Sequence, residues 1–177
     1  SSVLQKQTQL ESAEIISRGS AFRVNALGSL VTNSHVVNGC LAISDLQGNY
    51  YKKTIDNEVQ DLAVLDIDSK VTTPNEKERA FALLSDNEIA LGETAYVAGF
   101  PYAALLKNLN FTEGTISSVS GIGGNTQHFQ ITAPMQPGNS GGPILSETGA
   151  VLGVAVGELN ASMMVKLGGG LPQNVNF

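Results

Sequence analysis

The chain has 177 residues, enough for one domain with a substantial core or for two small barrels sharing an interface; 42% of its residues are apolar, 15% are charged, and the formal net charge is −6. No apolar run approaches the ~18 residues that a membrane span needs. An acidic chain without a basic cluster offers nothing to a phosphate backbone, so neither a membrane span nor a nucleic-acid partner is expected.

Cys40 is the only cysteine, so stability must come from burial rather than from an internal cross-link. It lies five residues after His35 and reads as a small buried apolar side chain rather than a second nucleophile. The N-terminal S-S-V-L-Q-K-Q-T-Q-L-E-S has neither the apolar core nor the cleavage site of a secretory signal, so the expectation is no export or a leader already removed.

Apolar residues at Leu10, Ala13 and Ile16 give residues 3–16 a faint helical period. From there the pattern is one of short alternating or β-branched runs, at 21–24, 29–32, 41–44, 50–55 and 62–67, each bounded by Asn, Gly or Asp. Residues 69–80, S-K-V-T-T-P-N-E-K-E-R-A, are polar and charged and carry a proline, as a linker between two β units does. Strand patterns resume at 94–98, 111–119, 129–132, 143–145 and 151–156. The expected organisation is an N-terminal unit with its linker over 1–84 and a C-terminal unit over 85–177, with no solenoid repeat.

Pro137 to Pro143 reads P-G-N-S-G-G-P. A serine hydroxyl is a poor nucleophile at neutral pH and needs a base beside it and donors for the charge of a tetrahedral intermediate. Glycines suit the second need, because Gly138 can turn its N–H toward a substrate oxygen beside that of Ser140 in a turn that bulkier residues would strain. A phosphate-binding loop is set aside, since no Gly-Lys-Ser/Thr follows. His35 and His128 are the only histidines. His35, in G-S-L-V-T-N-S-H-V-V, follows a strand and is the candidate base, whereas His128 sits beside a Gly-Asn-rich turn and reads as a surface residue. The base needs an acid to hold its tautomer. Asp56, Asp61, Asp66 and Asp68 are in range. Asp61 is preferred because it opens the apolar run L-A-V-L, while Asp66 and Asp68 are expected to face solvent.

The segments G-S-A-F, G-S-L-V-T-N-S-H-V-V, D-L-A-V-L-D-I-D, G-F-P and Q-P-G-N-S-G-G-P together resemble trypsin-like peptidases of the HtrA/Deg-like branch, from about Gly19 to the end. The resemblance implies an all-β, chymotrypsin-like fold of two perpendicular six-stranded antiparallel barrels with the active site between them. His35 and Asp61 would come from the first barrel and Ser140 from the second, with Gly138, Asn139 and Ser140 around the oxyanion hole. It also implies peptide pairing by β-addition near the C-terminus, favours a periplasmic or secreted setting, and leaves room for a homo-oligomer assembled through residues 3–16. Two departures stand out. Asn139 occupies the place of the trypsin aspartate that receives a newly cut N-terminus, which argues against activation by such processing, and Ala21 replaces a glycine of the G-S-G-F strand.

By position relative to Ser140, the primary pocket is expected to include Pro134, Met135, Gln136, Val154, Ala155 and Val156, none of them charged. A preference for Lys or Arg would require a carboxylate there, so a small or medium apolar residue before the cleaved bond is expected. The leading expectation is a serine endopeptidase acting on unfolded or extended protein segments through an acyl-enzyme, with no cofactor and no metal. The alternative is a catalytically weak pseudoprotease or chaperone-like module that holds peptides. An esterase of the α/β-hydrolase type is set aside, because its Ser, Asp, His order is reversed here.

Overall fold

The computed structural model describes residues 14–69, 80–102 and 108–156. An irregular segment leads into β1 (Phe22–Arg23), followed by β2 (Leu30–Thr32), the one-turn helix α1 (Ser34–Val37), β3 (Ile43–Ser44), β4 (Tyr50–Asn57) and β5 (Leu62–Ile67). These strands form an antiparallel sheet in the order β1-β2-β5-β4-β3. The second half contributes β6 (Thr94–Gly99), β7 (Asn110–Ser118), a 3-10 turn (Ile122–Gly124), β8 (Gln130–Ile131), β9 (Pro143–Leu145) and β10 (Val151–Val154). They form a second antiparallel sheet in the order β10-β9-β6-β7-β8.

The fold is mostly β, two curled half-barrel sheets with little helix, as the alternating pattern implies. Among the described residues each sheet has five strands, against the six per barrel that the resemblance implies. Observed strands fall within two residues of those read from the sequence at either end. Of the helical stretch expected at 3–16, only residues 14–16 are described, and they are irregular and exposed; the rest, and residues 70–79 of the linker, lie outside the described residues. No helix among the described residues is long and apolar enough to cross a membrane.

Each sheet closes over its own core. Val37, Tyr51, Ala63 and Leu65 are buried in the first, with Leu30, Val36, Ile43 and Ile67 packed around them. Ala95, Val97, Ile116, Ile131, Ala133, Met135, Ile144 and Ala155 form the larger second core. Between the halves, residues 82–85 leave one sheet edge and join another. The Ala82 N–H donates to the Arg23 carbonyl, the Val151 N–H to the Leu83 carbonyl and the Ser85 N–H to the Val151 carbonyl, at 2.8–2.9 Å.

The halves also meet at the turn after β8, where Gly141 packs against the first sheet. Its φ is +85°, and a Cβ there would lie 2.2 Å from both the Ser20 carbonyl oxygen and Thr32 Oγ1. Two costs therefore attend any side chain at 141, the left-handed backbone and displacement of buried atoms. Gly141→Ala is expected to lose about 2–5 kcal/mol of stability, read as a fall in the urea midpoint at unchanged slope. A loss below about 0.5 kcal/mol, the scale of an ordinary surface change, would mean that the turn does not pack on the first sheet.

Candidate active site

The long β4–β5 hairpin delivers Asp61 to the N-terminus of α1. Its turn is pinned by a reciprocal pair, the Gln60 N–H to Asn57 Oδ1 at 3.1 Å and Asn57 Nδ2 to Gln60 Oε1 at 2.9 Å. Asp61 follows at φ +52°, a left-handed conformation that aspartate tolerates better than most residues. Asn33, the N-cap of α1, makes no side-chain cap. Asp61 does that work from outside. Its carbonyl accepts the Ser34 N–H at 3.2 Å and Asn33 Nδ2 at 2.9 Å, and its Oδ1 accepts the His35 N–H at 2.9 Å. Its Oδ2 lies 2.6 Å from His35 Nδ1. One carboxylate thus closes a helix end and fixes a ring; with Nδ1 protonated toward Asp61, Nε2 is the ring nitrogen left as acceptor.

The second half presents its serine on the turn 136–142, between β8 and β9. Here nearly every backbone group is tied. The Pro137 carbonyl accepts the Tyr102 N–H at 2.9 Å, the Gly138 carbonyl accepts Ser20 Oγ at 2.7 Å, and the Asn139 carbonyl accepts the Gly142 N–H at 2.8 Å. The Ser140 carbonyl accepts the Ser20 N–H at 2.8 Å, and the N–H groups of Asn139 and Gly141 donate to the carbonyls of Gln136 and Ala155. From Gly138 to Gly142, only the N–H groups of Gly138 and Ser140 lack an acceptor among the described residues. In a trans peptide the C=O and N–H point opposite ways. Fastening the Pro137 and Asn139 carbonyls therefore turns the two open amides outward from their ties. Gly138 has φ +105°, and a Cβ on it would lie 2.6 Å from the Phe100 carbonyl oxygen, so this turn accepts only glycine there.

Ser140 comes close to α1. A Cβ built on Gly19 would sit 2.6 Å from Val36 Cγ1, the residue after His35, and 3.0 Å from the Ser140 carbonyl oxygen. The Ser140 hydroxyl donates to the Val156 carbonyl at 3.1 Å, not to the His35 ring.

The family model of the trypsin-like peptidase domain matches residues 19–154. The chain belongs to that family. A serine protease Do-like HtrA of Lactobacillus helveticus is 33% identical over 156 residues, 80% of this chain and 36% of that protein. An uncharacterized protein of Sinorhizobium fredii is 37% identical over 166 residues, 91% of this chain and 25% of its own length. Among solved structures, the HtrA-type protease AlgW with a decapeptide superposes with a TM-score of 0.67 at 28% identity, covering 89% of this chain and 46% of that one. These likenesses place the domain on the HtrA branch of trypsin-like peptidases and its fold among the chymotrypsin-like ones. The chain spans between a fifth and about half the length of the curated relatives it matches.

Within this trypsin-like domain the other residues singled out from sequence separate into two groups. Pro134 and Gln136 are exposed, and Val154 and Val156 half-buried, beside the turn. Met135 and Ala155, expected in the pocket, belong to the core, 1% and 0% exposed. Alternation is the reason. Ile131, Ala133 and Met135 face inward while Thr132, Pro134 and Gln136 face out. Asp66 and Asp68, the two Asp candidates expected to face solvent, behave differently from expectation as well. Asp66 is half-buried and accepts Ser29 Oγ at 2.6 Å, and Asp68 is half-buried too. His128 stands on the second sheet's approach to β8, its Nδ1 3.4 Å from Asn125 Nδ2. Cys40 is half-buried past α1, its Sγ 3.9 Å from the Val36 carbonyl oxygen. No group of three or more potential metal ligands occurs among the described residues. Sequence reading passed over Ser20, which meets the turn through both its backbone and its hydroxyl.

Behind α1 a surface carboxylate steadies the helix. Ser34 Oγ donates to Asp56 Oδ1 at 2.5 Å, and Lys53 pairs with Asp56 Oδ2. The hydrogen bond from Lys53, then that from Ser34, lowers the Asp56 pKa below its ordinary value. A carboxyl whose folded pKa is lowered adds stability that is full above its unfolded pKa and disappears as pH falls through the folded one. Asp56→Asn is therefore expected to lower the thermal midpoint at neutral pH, with the gap to the parent closing as the solution is acidified through and below the ordinary carboxylate range. Parallel midpoint curves across that range would show that Asp56 gains nothing from Lys53 and Ser34.

Proposed function

We propose that this domain is a serine endopeptidase acting on unfolded or extended protein segments, with Ser140 as nucleophile, His35 as general base and then general acid, and Asp61 holding the imidazole. What carries the reading is the hydrogen-bond pattern of the 136–142 turn, with the carbonyls of Gln136 to Ser140 fastened and the N–H groups of Gly138 and Ser140 open. Two convergent donors at a serine are what a tetrahedral oxyanion requires.

In the proposed reaction the Ser140 hydroxyl turns from the Val156 carbonyl to His35 Nε2. Its oxygen attacks the scissile carbonyl as the ring takes the proton, and the carbonyl oxygen becomes an anion between the two open amides. His35 then protonates the leaving amine, the C–N bond breaks, and water repeats the sequence on the ester. Asp61, fixed by its own ties to α1, keeps Nε2 free for both transfers. Asn139 lies between the two donors with its own N–H committed to Gln136, so the oxyanion site is assigned to Gly138 and Ser140. The units proposed at 1–84 and 85–177 would bring base and nucleophile from opposite sides. The uncharged flank of Pro134, Gln136, Val154 and Val156 supports a small or medium apolar residue before the cleaved bond.

A second reading rests on one observation, the Ser140 hydroxyl parked on Val156 at 3.1 Å. In that state the domain would hold peptides with little turnover. Purified protein, tested with a fluorophosphonate probe and with casein as an unfolded substrate, separates the two. On the peptidase reading Ser140→Ala abolishes labelling and cleavage, and Asp61→Asn lowers kcat by about 10⁴ with KM little changed. Labelling that persists in Ser140→Ala overturns the choice of nucleophile, and peptide binding without turnover in the parent favours the holding module. In a peptide library, apolar residues before the cut should outrank Lys and Glu by at least about tenfold. An equal or reversed ranking would place a charge in the pocket that these residues do not supply.

A further inference from the structure

Ser20 belongs to neither the nucleophile turn nor the His35–Asp61 pair, yet it touches both halves of the fold. It precedes β1, is 3% exposed, and uses every polar group it has. Its N–H donates to the Ser140 carbonyl at 2.8 Å, its hydroxyl donates to the Gly138 carbonyl at 2.7 Å and accepts the Phe100 N–H at 2.9 Å, and its carbonyl accepts Thr32 Oγ1 at 2.7 Å. The Phe100 N–H has only the hydroxyl oxygen to donate to, so the hydroxyl proton is directed at Gly138. The Gly138–Asn139 peptide is then held at both ends, its carbonyl by Ser20 and its N–H by Gln136.

We propose that Ser20 is a positioning residue for the oxyanion site, fixing the direction of the Gly138 and Ser140 amides; this rests on the reading of Ser140 as nucleophile. A planar peptide clamped at both ends cannot rotate, and it lies between the two peptides whose N–H groups are open. Glycine at 138 makes an outside tie necessary, because without a Cβ it has several backbone wells to choose from. Removing the hydroxyl leaves the Gly138 carbonyl and the Phe100 N–H without a partner in a buried place. Both losses favour rotation of the peptide, and its rotation releases the flanking Gly138 and Ser140 amides from their set directions. Through Thr32 and β2 the tie also makes the second half's turn depend on the first sheet.

The test uses the full chain with Ser20→Ala, and Ser29→Ala as the control. Ser29 also makes a partly buried side-chain bond, to Asp66, without touching the turn. Ser20→Ala is expected to lower kcat and the affinity for a peptide aldehyde, which binds as a tetrahedral oxyanion, by about 100-fold. KM and the affinity for the matching peptide amide should change less than about twofold, because ground-state contacts are kept. Ser29→Ala should lose stability but keep kcat and aldehyde affinity. Should Ser20→Ala fail to fold, Ser20→Cys, which keeps the volume with a weaker donor, carries the same comparison. A folded Ser20 variant with parental kcat and aldehyde affinity overturns the proposal.

Amide resonances supply an arm that does not need catalysis. In the Ser20 variant the Gly138 and Ser140 N–H signals should shift and exchange faster, while that of Ile116 in β7 stays as in the parent. If the parent takes no fluorophosphonate, the nucleophile reading fails on its own, and unchanged Gly138 and Ser140 signals would separately dismiss the role of Ser20.

Discussion

The structure turns on a backbone constraint in seven residues. A tight turn must satisfy its buried carbonyls or lose stability for each one left bare, yet the proposed chemistry needs two N–H groups left unpaired. The chain resolves the conflict by bringing in donors from elsewhere. Tyr102 comes from the segment after β6 and Ser20 from the segment before β1, while Gly142 closes the turn internally. The second sheet alone cannot hold this arrangement, because two of its carbonyls, those of Gly138 and Ser140, depend on one serine of the first half. Gly141, with no room for a side chain against Ser20 and Thr32, lets the two halves approach closely enough for those bonds to form.

The same economy governs the other half of the site. A one-turn helix is too short to stabilise itself, and α1 has no cap from Asn33. Asp61 supplies the missing acceptors and in doing so sets the His35 ring, so helix formation and ring orientation are one event. The cost is a non-glycine residue at φ +52°. Strain of this kind persists only where surroundings over-determine it, and here four hydrogen-bond contacts do so. Losing the carboxylate would therefore free the helix as well as the imidazole.

Local pattern made much of this legible. Period-two alternation marked the strands, and His35, Asp61 and Ser140 stood out because each sits where a strand meets a turn, in an order that suits nucleophilic chemistry. Met135 and Ala155 were also within reach of the sequence, since I-T-A-P-M-Q alternates cleanly; counting back from Ser140 placed Met135 in the pocket, whereas alternation places it in the core. Asp66 looked like a solvent-facing strand end because its partner, Ser29, is 37 residues away. Ser20 was hidden for the same reason on a larger scale. Its hydroxyl bond spans 118 residues and joins two sheets, so it exists only once both have formed. The rotamer of Ser140 is hidden too, because one bond to Val156 decides it and no residue pattern encodes a torsion angle.

Asn139 now acquires a physical reason. It is 2% exposed, and its Oδ1 has no hydrogen-bond partner. A carboxylate in that place would be a buried charge needing a cation, as the resemblance to trypsin supplies through a new N-terminus. No such partner reaches it among the described residues, and an unpaired buried charge costs several times what an unpaired amide oxygen does. The neutral amide is the side chain that fits a turn whose shape is set by hydrogen bonds from the first half. Where a cut N-terminus orders the trypsin turn through an ion pair, hydrogen bonds from Ser20 to the Gly138 and Ser140 carbonyls fasten the turn of this chain.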